Sequence, residues 1–154
     1  MMEDVQKILF VCTGNSCRSI MAEAYMKKRA QEESLSLEVK SAGTLGINDM
    51  PPTQQALKVL ADEGIDTEGY QSKALSKELI DWADLILVME PLHKSRILED
   101  VPEAEGKVRY LAEFNPEKND VMIPDPIGRP VAFYKTSFGL IRYSIEELIK
   151  WLKK

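Results

Sequence analysis

Lys7-Ile8-Leu9-Phe10-Val11-Cys12-Thr13-Gly14-Asn15-Ser16-Cys17-Arg18-Ser19 is the stretch that decides the fold. The run from Lys7 to Val11 is apolar after its first residue, rich in β-branched and large side chains and too short for a helix, which fits a buried parallel strand. The loop after it is built of small residues and opens at once into a helical pattern from about Ser19 to Glu32, with Met21, Ala24, Tyr25 and Lys28 on one face. A strand, a tight loop and a helix N-terminus in that order turn successive backbone N–H groups toward one centre, where an anion binds. A nucleotide P-loop needs a Lys followed by Ser or Thr after its second glycine. This loop has neither that Lys nor that second glycine, so it is an anion cradle of another kind.

Outward from that loop, Asp84 to Met89 repeats the short buried-strand pattern, and Leu37 to Ser41 and Lys107 to Leu111 are further strand candidates. Helical patterns lie between them. One carries Ala56, Val59, Leu60 and Glu63 and is entered through Pro51-Pro52-Thr53; a short one follows Ser76 and runs through Trp82. The last runs from about Ala132 to Lys153, with Phe133, Phe138, Ile141, Ile145, Leu148 and Leu152 on its buried face. Alternating strand and helix predicts an α/β domain with a parallel sheet of about four strands covered on both faces. Ligands in such sheets bind beyond the carboxyl ends of the strands. The long irregular stretch from Ala112 to Pro130 carries Pro116, Pro124, Pro126, Gly128 and Pro130, and a loop of that length in a small domain is usually functional.

The 154 residues suit one domain, 1–154, whose core needs no disulfide or metal staple. A net charge of −5 argues against nucleic acid or an anionic membrane as partner, since both favour a basic surface. No apolar run approaches the ~18 residues of a membrane span, and the opening Met1-Met2-Glu3-Asp4 is unlike a signal peptide, so the expected location is cytoplasmic. Cys12, Cys17 and the single histidine, His93, fall one ligand short of a four-ligand zinc site, so no metal and no other cofactor is expected.

Cys12 sits at the mouth of the cradle, where helix-terminal dipoles and the Arg18 guanidinium favour thiolate over thiol and make it the candidate nucleophile. Arg18 can hold two oxygens of a tetrahedral oxyanion at once, a geometry lysine lacks. Ser19 can donate its hydroxyl to the sulfur while capping the helix. Asn15 is a candidate for a left-handed backbone conformation or a loop-bracing bond. Cys17 has two readings of equal standing: an idle cradle residue, or a partner that captures oxidised Cys12 as a disulfide. His93 reads as a solvated helix residue, and Lys27-Lys28-Arg29 as the solvated face of the first helix.

The run Cys-x5-Arg-Ser from Cys12 to Ser19, with Met21-Ala22-Glu23, Ser41-Ala42-Gly43 and Asp125-Pro126 further on, resembles the low-molecular-weight protein tyrosine phosphatases over essentially the whole chain. The resemblance implies a flavodoxin-like three-layer sandwich, a phosphocysteine intermediate on Cys12 and no metal. It implies Asp125 as general acid and base, a phosphate ring of Thr13, Gly14, Asn15, Ser16, Cys17 and Arg18, and support from Ser19 and Ser41. The partners implied are a phosphorylated protein or peptide and inorganic phosphate as product. Asp120 is the next candidate for the acid. Ser16 stands where many members carry Ile, Ile127-Gly128 where they carry aromatic residues, and Tyr70 where they carry a histidine that braces the loop asparagine. Phosphotyrosine leads as substrate by family weight. Phosphoarginine stands second, because a small hydroxyl residue at position 16 with Asp-Pro-hydrophobic-Gly looks like the branch that dephosphorylates protein arginine. The loop also resembles that of thioredoxin-linked arsenate reductases, but their relay needs cysteines beyond Cys17 and the chain has none. A non-catalytic phosphoprotein-binding module is the third class, and it would be expected to lack Cys12, Arg18 or Asp125.

Overall fold

The structure, a computed structural model, describes residues 4–117 and 122–154. Four parallel strands, β1 (Lys7–Cys12), β2 (Glu38–Gly43), β3 (Leu85–Val88) and β4 (Val108–Tyr110), pair in the order β2-β1-β3-β4. Five helices accompany them: α1 (Arg18–Glu32), α2 (Gln54–Asp62), α3 (Lys77–Trp82), α4 (Pro91–Asp100) and α5 (Val131–Leu152). Thr53 and Ser76 each cap the helix that follows, their hydroxyls accepting from Ala56 N and Leu79 N. The alternation along β1 sorts the core into two layers. Ile8, Phe10 and Cys12 face a cluster built with α1, α2 and α5, while Leu9 and Val11 face a smaller one that includes Ile80 of α3 and Ile97 of α4. This is the three-layer α/β sandwich that the strand and helix pattern predicts.

The order 2-1-3-4 makes the chain reverse direction across the sheet between β1 and β3, and the loops that leave their carboxyl ends part on either side of a crevice. The Cys12 loop leaves β1, and α4 follows β3 after two residues. Segment 122–130 lies against the same end, since Ile123 N donates to Met89 O at 2.8 Å.

Several expectations need correction. Phe133 is 48% exposed rather than part of the buried face of α5, because the first turn of that helix extends past the core and packs the ring under the Arg129 guanidinium. Tyr134 and Ser137 take the inward positions there. Arg29 is not on a solvated face: its guanidinium bonds Glu146, Glu32 and Glu33, tying α1 to α5. Asp84 and Met89 flank β3 rather than belong to it, and the Asp84 carboxylate accepts from Gln6 N and Lys7 N.

Candidate active site

The cradle is shaped by where its carbonyls go. Cys12 O accepts from Thr44 N, Thr13 O from Leu45 N, Ser16 O from Thr53 N and Cys17 O from Met21 N, at 2.8 to 3.0 Å. With its carbonyls committed outward, the loop has its amides left over: among the described residues, none of the N–H groups of residues 13–17 donates to a backbone acceptor. Asn15 makes the turn with a φ of 54°, in the left-handed region expected of it. Gly43 lies alongside, paired in register with Cys12, and leaves room for the loop to pass.

Cys12 is buried at the end of β1, its Sγ 2.9 Å from Ser19 Oγ. Ser19 does not cap the helix as expected. It lies inside α1, whose N-cap is Cys17 with no side-chain cap bond, so its hydroxyl is free for the sulfur. Asn15 Nδ2 donates to Ser19 Oγ at 2.6 Å and to Ser41 Oγ at 2.9 Å, and Asn15 Oδ1 accepts from Lys73 N at 2.8 Å. Ser41 Oγ in turn donates to Glu23, a buried carboxylate also paired with Lys27. Cys12, Ser19, Asn15, Ser41 and Glu23 thus form one hydrogen-bonded chain behind the loop. Lys73 N, and no group of Tyr70, braces Asn15 from the following strand-like segment.

Arg18 is 1% exposed. One of its terminal nitrogens donates to Glu90 Oε2 at 2.9 Å and to Ile123 O at 2.8 Å, and the other lies 3.5 Å from Asp125 Oδ2. Those three contacts fix the plane of the guanidinium across the mouth of the cradle. Asp125 is half-exposed at the edge of the cleft, and its Oδ1 accepts from Ile127 N at 3.1 Å in an Asx turn. Cys17 Sγ is 3.9 Å from that same oxygen, and both cysteines are free. Burial, with Cys12 and Asp125 nearby, pushes the Cys17 thiol up to about 12, so it stays a thiol at neutral pH.

Cys12, Thr13, Gly14, Ser16, Cys17 and Arg18 line a cleft of about 340 Å³ with Asp125 at its edge. Leu45, Ile47, Met50, Pro51 and Ile127 form its wall, which carries no aromatic ring. The structure brings every expected site residue to this cleft or to the chain behind it. Asp120 lies outside the described residues. Among the described residues, no group of three or more His, Cys, Asp and Glu side chains is arranged to hold a metal.

Two participants escaped the sequence reading. His93 is fully buried, not solvated, with Nε2 2.9 Å from Thr13 Oγ1. Glu90, which pairs with Arg18, was not singled out at all. Both sit at the start of α4, three residues apart and directly after β3, and that spacing at the carboxyl end of a strand was the available signal.

A buried cysteine at a strand end, a ring of free amides and an arginine fixed across the opening define the class of enzyme that takes a phosphoryl group onto sulfur. A family model described as low molecular weight phosphotyrosine protein phosphatase matches residues 7–154, and the chain belongs to that family. It is 37% identical over 147 residues to a protein named Protein-arginine-phosphatase from Geobacillus stearothermophilus, covering 96% of each chain. It is 33% identical to the Low molecular weight protein-tyrosine-phosphatase Etp of Escherichia coli K12, covering 96% of this chain and 95% of that one. Among solved structures it matches YwlE arginine phosphatase, a cysteine-to-serine mutant with a phosphorylated active site serine, at a TM-score of 0.90 and 34% identity over 97% of each chain.

Proposed function

We propose that the chain is a protein phosphatase, acting in the cytoplasm as one domain, whose preferred substrate is phosphoarginine. Cys12 attacks phosphorus in line, and the amides of residues 13–18 with the Arg18 fork carry the equatorial oxygens as charge spreads over them. Asp125 gives its proton to the leaving atom, then takes one from the water that releases inorganic phosphate from the phosphocysteine. Ser19 donates to the sulfur when it carries charge, on attack and again on leaving.

The observation that carries the substrate reading is the cleft wall. Ser16 puts a hydroxyl where the alternative side chain would be aliphatic, and no ring stands at the rim to stack on a phenol. A guanidinium keeps its hydration needs as it approaches, and the Ser16 hydroxyl meets part of them. Phosphotyrosine, first by family weight, stays in play because the exposed Leu45, Ile47, Met50 and Ile127 offer apolar contact to a phenyl ring. Turnover of a phosphoarginine peptide and a phosphotyrosine peptide of the same flanking sequence decides between them, with Cys12→Ser as the inactive control. The expected result is a large excess on phosphoarginine that Ser16→Ile reverses. Equal or greater turnover of phosphotyrosine by the wild type would restore the other order.

A further inference from the structure

His93 is a buried titratable group that the phosphoryl-transfer mechanism leaves unused. It is the only histidine, is 0% exposed, and its Nδ1 has no hydrogen-bond partner among the described residues, while Nε2 lies 2.9 Å from Thr13 Oγ1. Two tautomers could fill that contact. If the Thr13 hydroxyl were the donor, the imidazole proton would sit on Nδ1 as a buried N–H with no acceptor, which is rarer and costlier than a bare lone pair. The proton therefore belongs on Nε2, and the imidazole donates to Thr13 Oγ1. The ring is uncharged: burial, and then the Arg18 cation, push it down to about 4 against the opposite pull of Glu90 and Asp125.

That arrangement leaves the hydroxyl proton of Thr13 itself unclaimed. No acceptor among the described residues takes it, and Thr13 lines the cleft beside Cys12, Gly14 and Arg18. We propose that the Thr13 hydroxyl donates a hydrogen bond to the oxyanion held in the cradle, and that His93 is the positioning residue that aims it by filling the acceptor side of the same oxygen. The inference rests on the cradle being a phosphoryl-transfer site and adds one side-chain donor to the backbone ring. It also gives the first turn of α4 a single task, since Glu90 fixes Arg18 at one end of the loop and His93 fixes Thr13 at the other.

The test combines kinetics on p-nitrophenyl phosphate with calorimetric binding of inorganic phosphate, for Thr13→Val, Thr13→Ser, His93→Gln, His93→Leu and the Thr13→Val/His93→Leu double variant. Thr13→Val keeps the shape and removes only the hydroxyl. It is expected to weaken phosphate binding and lower kcat/KM by about tenfold or more, the size of one hydrogen bond to a charged group. Thr13→Ser should keep most of both. His93→Gln, whose amide can donate from near the Nε2 position, should retain more than His93→Leu. The double variant should be no worse than the weaker single, because valine has already removed the group that the imidazole aims. Wild-type phosphate affinity and kcat/KM in Thr13→Val, or losses that multiply in the double variant, would overturn the proposal. If His93→Leu does not fold, the contrast between Thr13→Val and Thr13→Ser decides it. Phosphate binding judges the Thr13 hydroxyl even without turnover, so an inactive wild type would sink the phosphatase reading alone.

Discussion

A methyl group at position 43 would sit 2.7 Å from Thr13 O, 2.9 Å from Asn15 N and 2.9 Å from Gly14 C. All three are backbone atoms of the cradle, so none can swing away as a flexible side chain would. Gly43→Ala must therefore move the loop relative to β2, and with it the amides that meet the oxyanion. A displacement on the order of 1 Å at such a site can cost about 10²-fold in rate. The variant is expected to fold, because the change touches only one edge of the sheet end, and to lose about that much kcat. Its melting temperature beside its turnover of p-nitrophenyl phosphate checks this, and wild-type turnover would mean the loop has slack that the contacts do not show. At this scale the site could be read well ahead of the structure. Cys12, Arg18 and Asn15 are residue types whose chemistry needs that loop, and they are where the reading put them. Ser19 keeps its contact with the Cys12 sulfur but not the cap, because the helix begins one residue earlier than expected and the hydroxyl lies too far in to cap it.

Between residues and the whole lies the segment 122–130, which delivers Asp125. It is pinned from three sides: Ile123 N bonds Met89 O, Ile123 O accepts from Arg18, and Pro124 O accepts from Ser137 Oγ of α5. The carboxyl is thus held at the cleft edge, 3.5 Å from the Arg18 guanidinium. Asp125→Ala should slow hydrolysis by about 10²–10⁴-fold for substrates with poor leaving groups, and far less for p-nitrophenyl phosphate, whose leaving group needs no proton. A loss of equal size on both substrates would show that Asp125 does something other than protonate the leaving atom. Elements with continuous apolar runs or clear caps were readable within a residue or two, as β1, α2 and α3 show. α4 (Pro91–Asp100) has no counterpart among the expected helical patterns, since Ile97 and His93 are its only fully buried side chains and a histidine counts as polar in any periodicity. Its inward face meets a polar loop, so hydrophobic pattern carried no sign of it. Phe133 failed for the converse reason, an apolar residue in phase with the core but one turn beyond its edge.

At the scale of the molecule, the sheet order brings the ends of β1 and β3 together, and that crevice makes His93 both part of the site and part of the stability. As the single histidine, it is expected to dominate the proton uptake that accompanies unfolding near pH 6. In the unfolded chain it takes up a proton near pH 6.5, whereas in the fold burial and Arg18 hold it neutral down to about 4. Between those values the unfolded state binds a proton that the folded state refuses, so stability falls as pH drops from about 6.5 to about 4 and is flat for this group above and below. The full window is worth on the order of 3 kcal/mol. Glu146 acts lower: its bond to Arg29 holds its carboxyl below the usual 4.5, so its contribution is present above that value and is lost only as pH falls further. The two groups therefore separate along the pH axis. Melting temperatures measured from pH 4 to pH 7 are expected to fall toward acid in the wild type and to fall much less in His93→Gln, which has nothing to protonate at that position. Other carboxylates titrate in both proteins and cancel in the difference. Parallel curves would mean that the imbalance of proton binding between fold and unfolded chain does not come from His93, and that the Thr13 contact tolerates a charged ring.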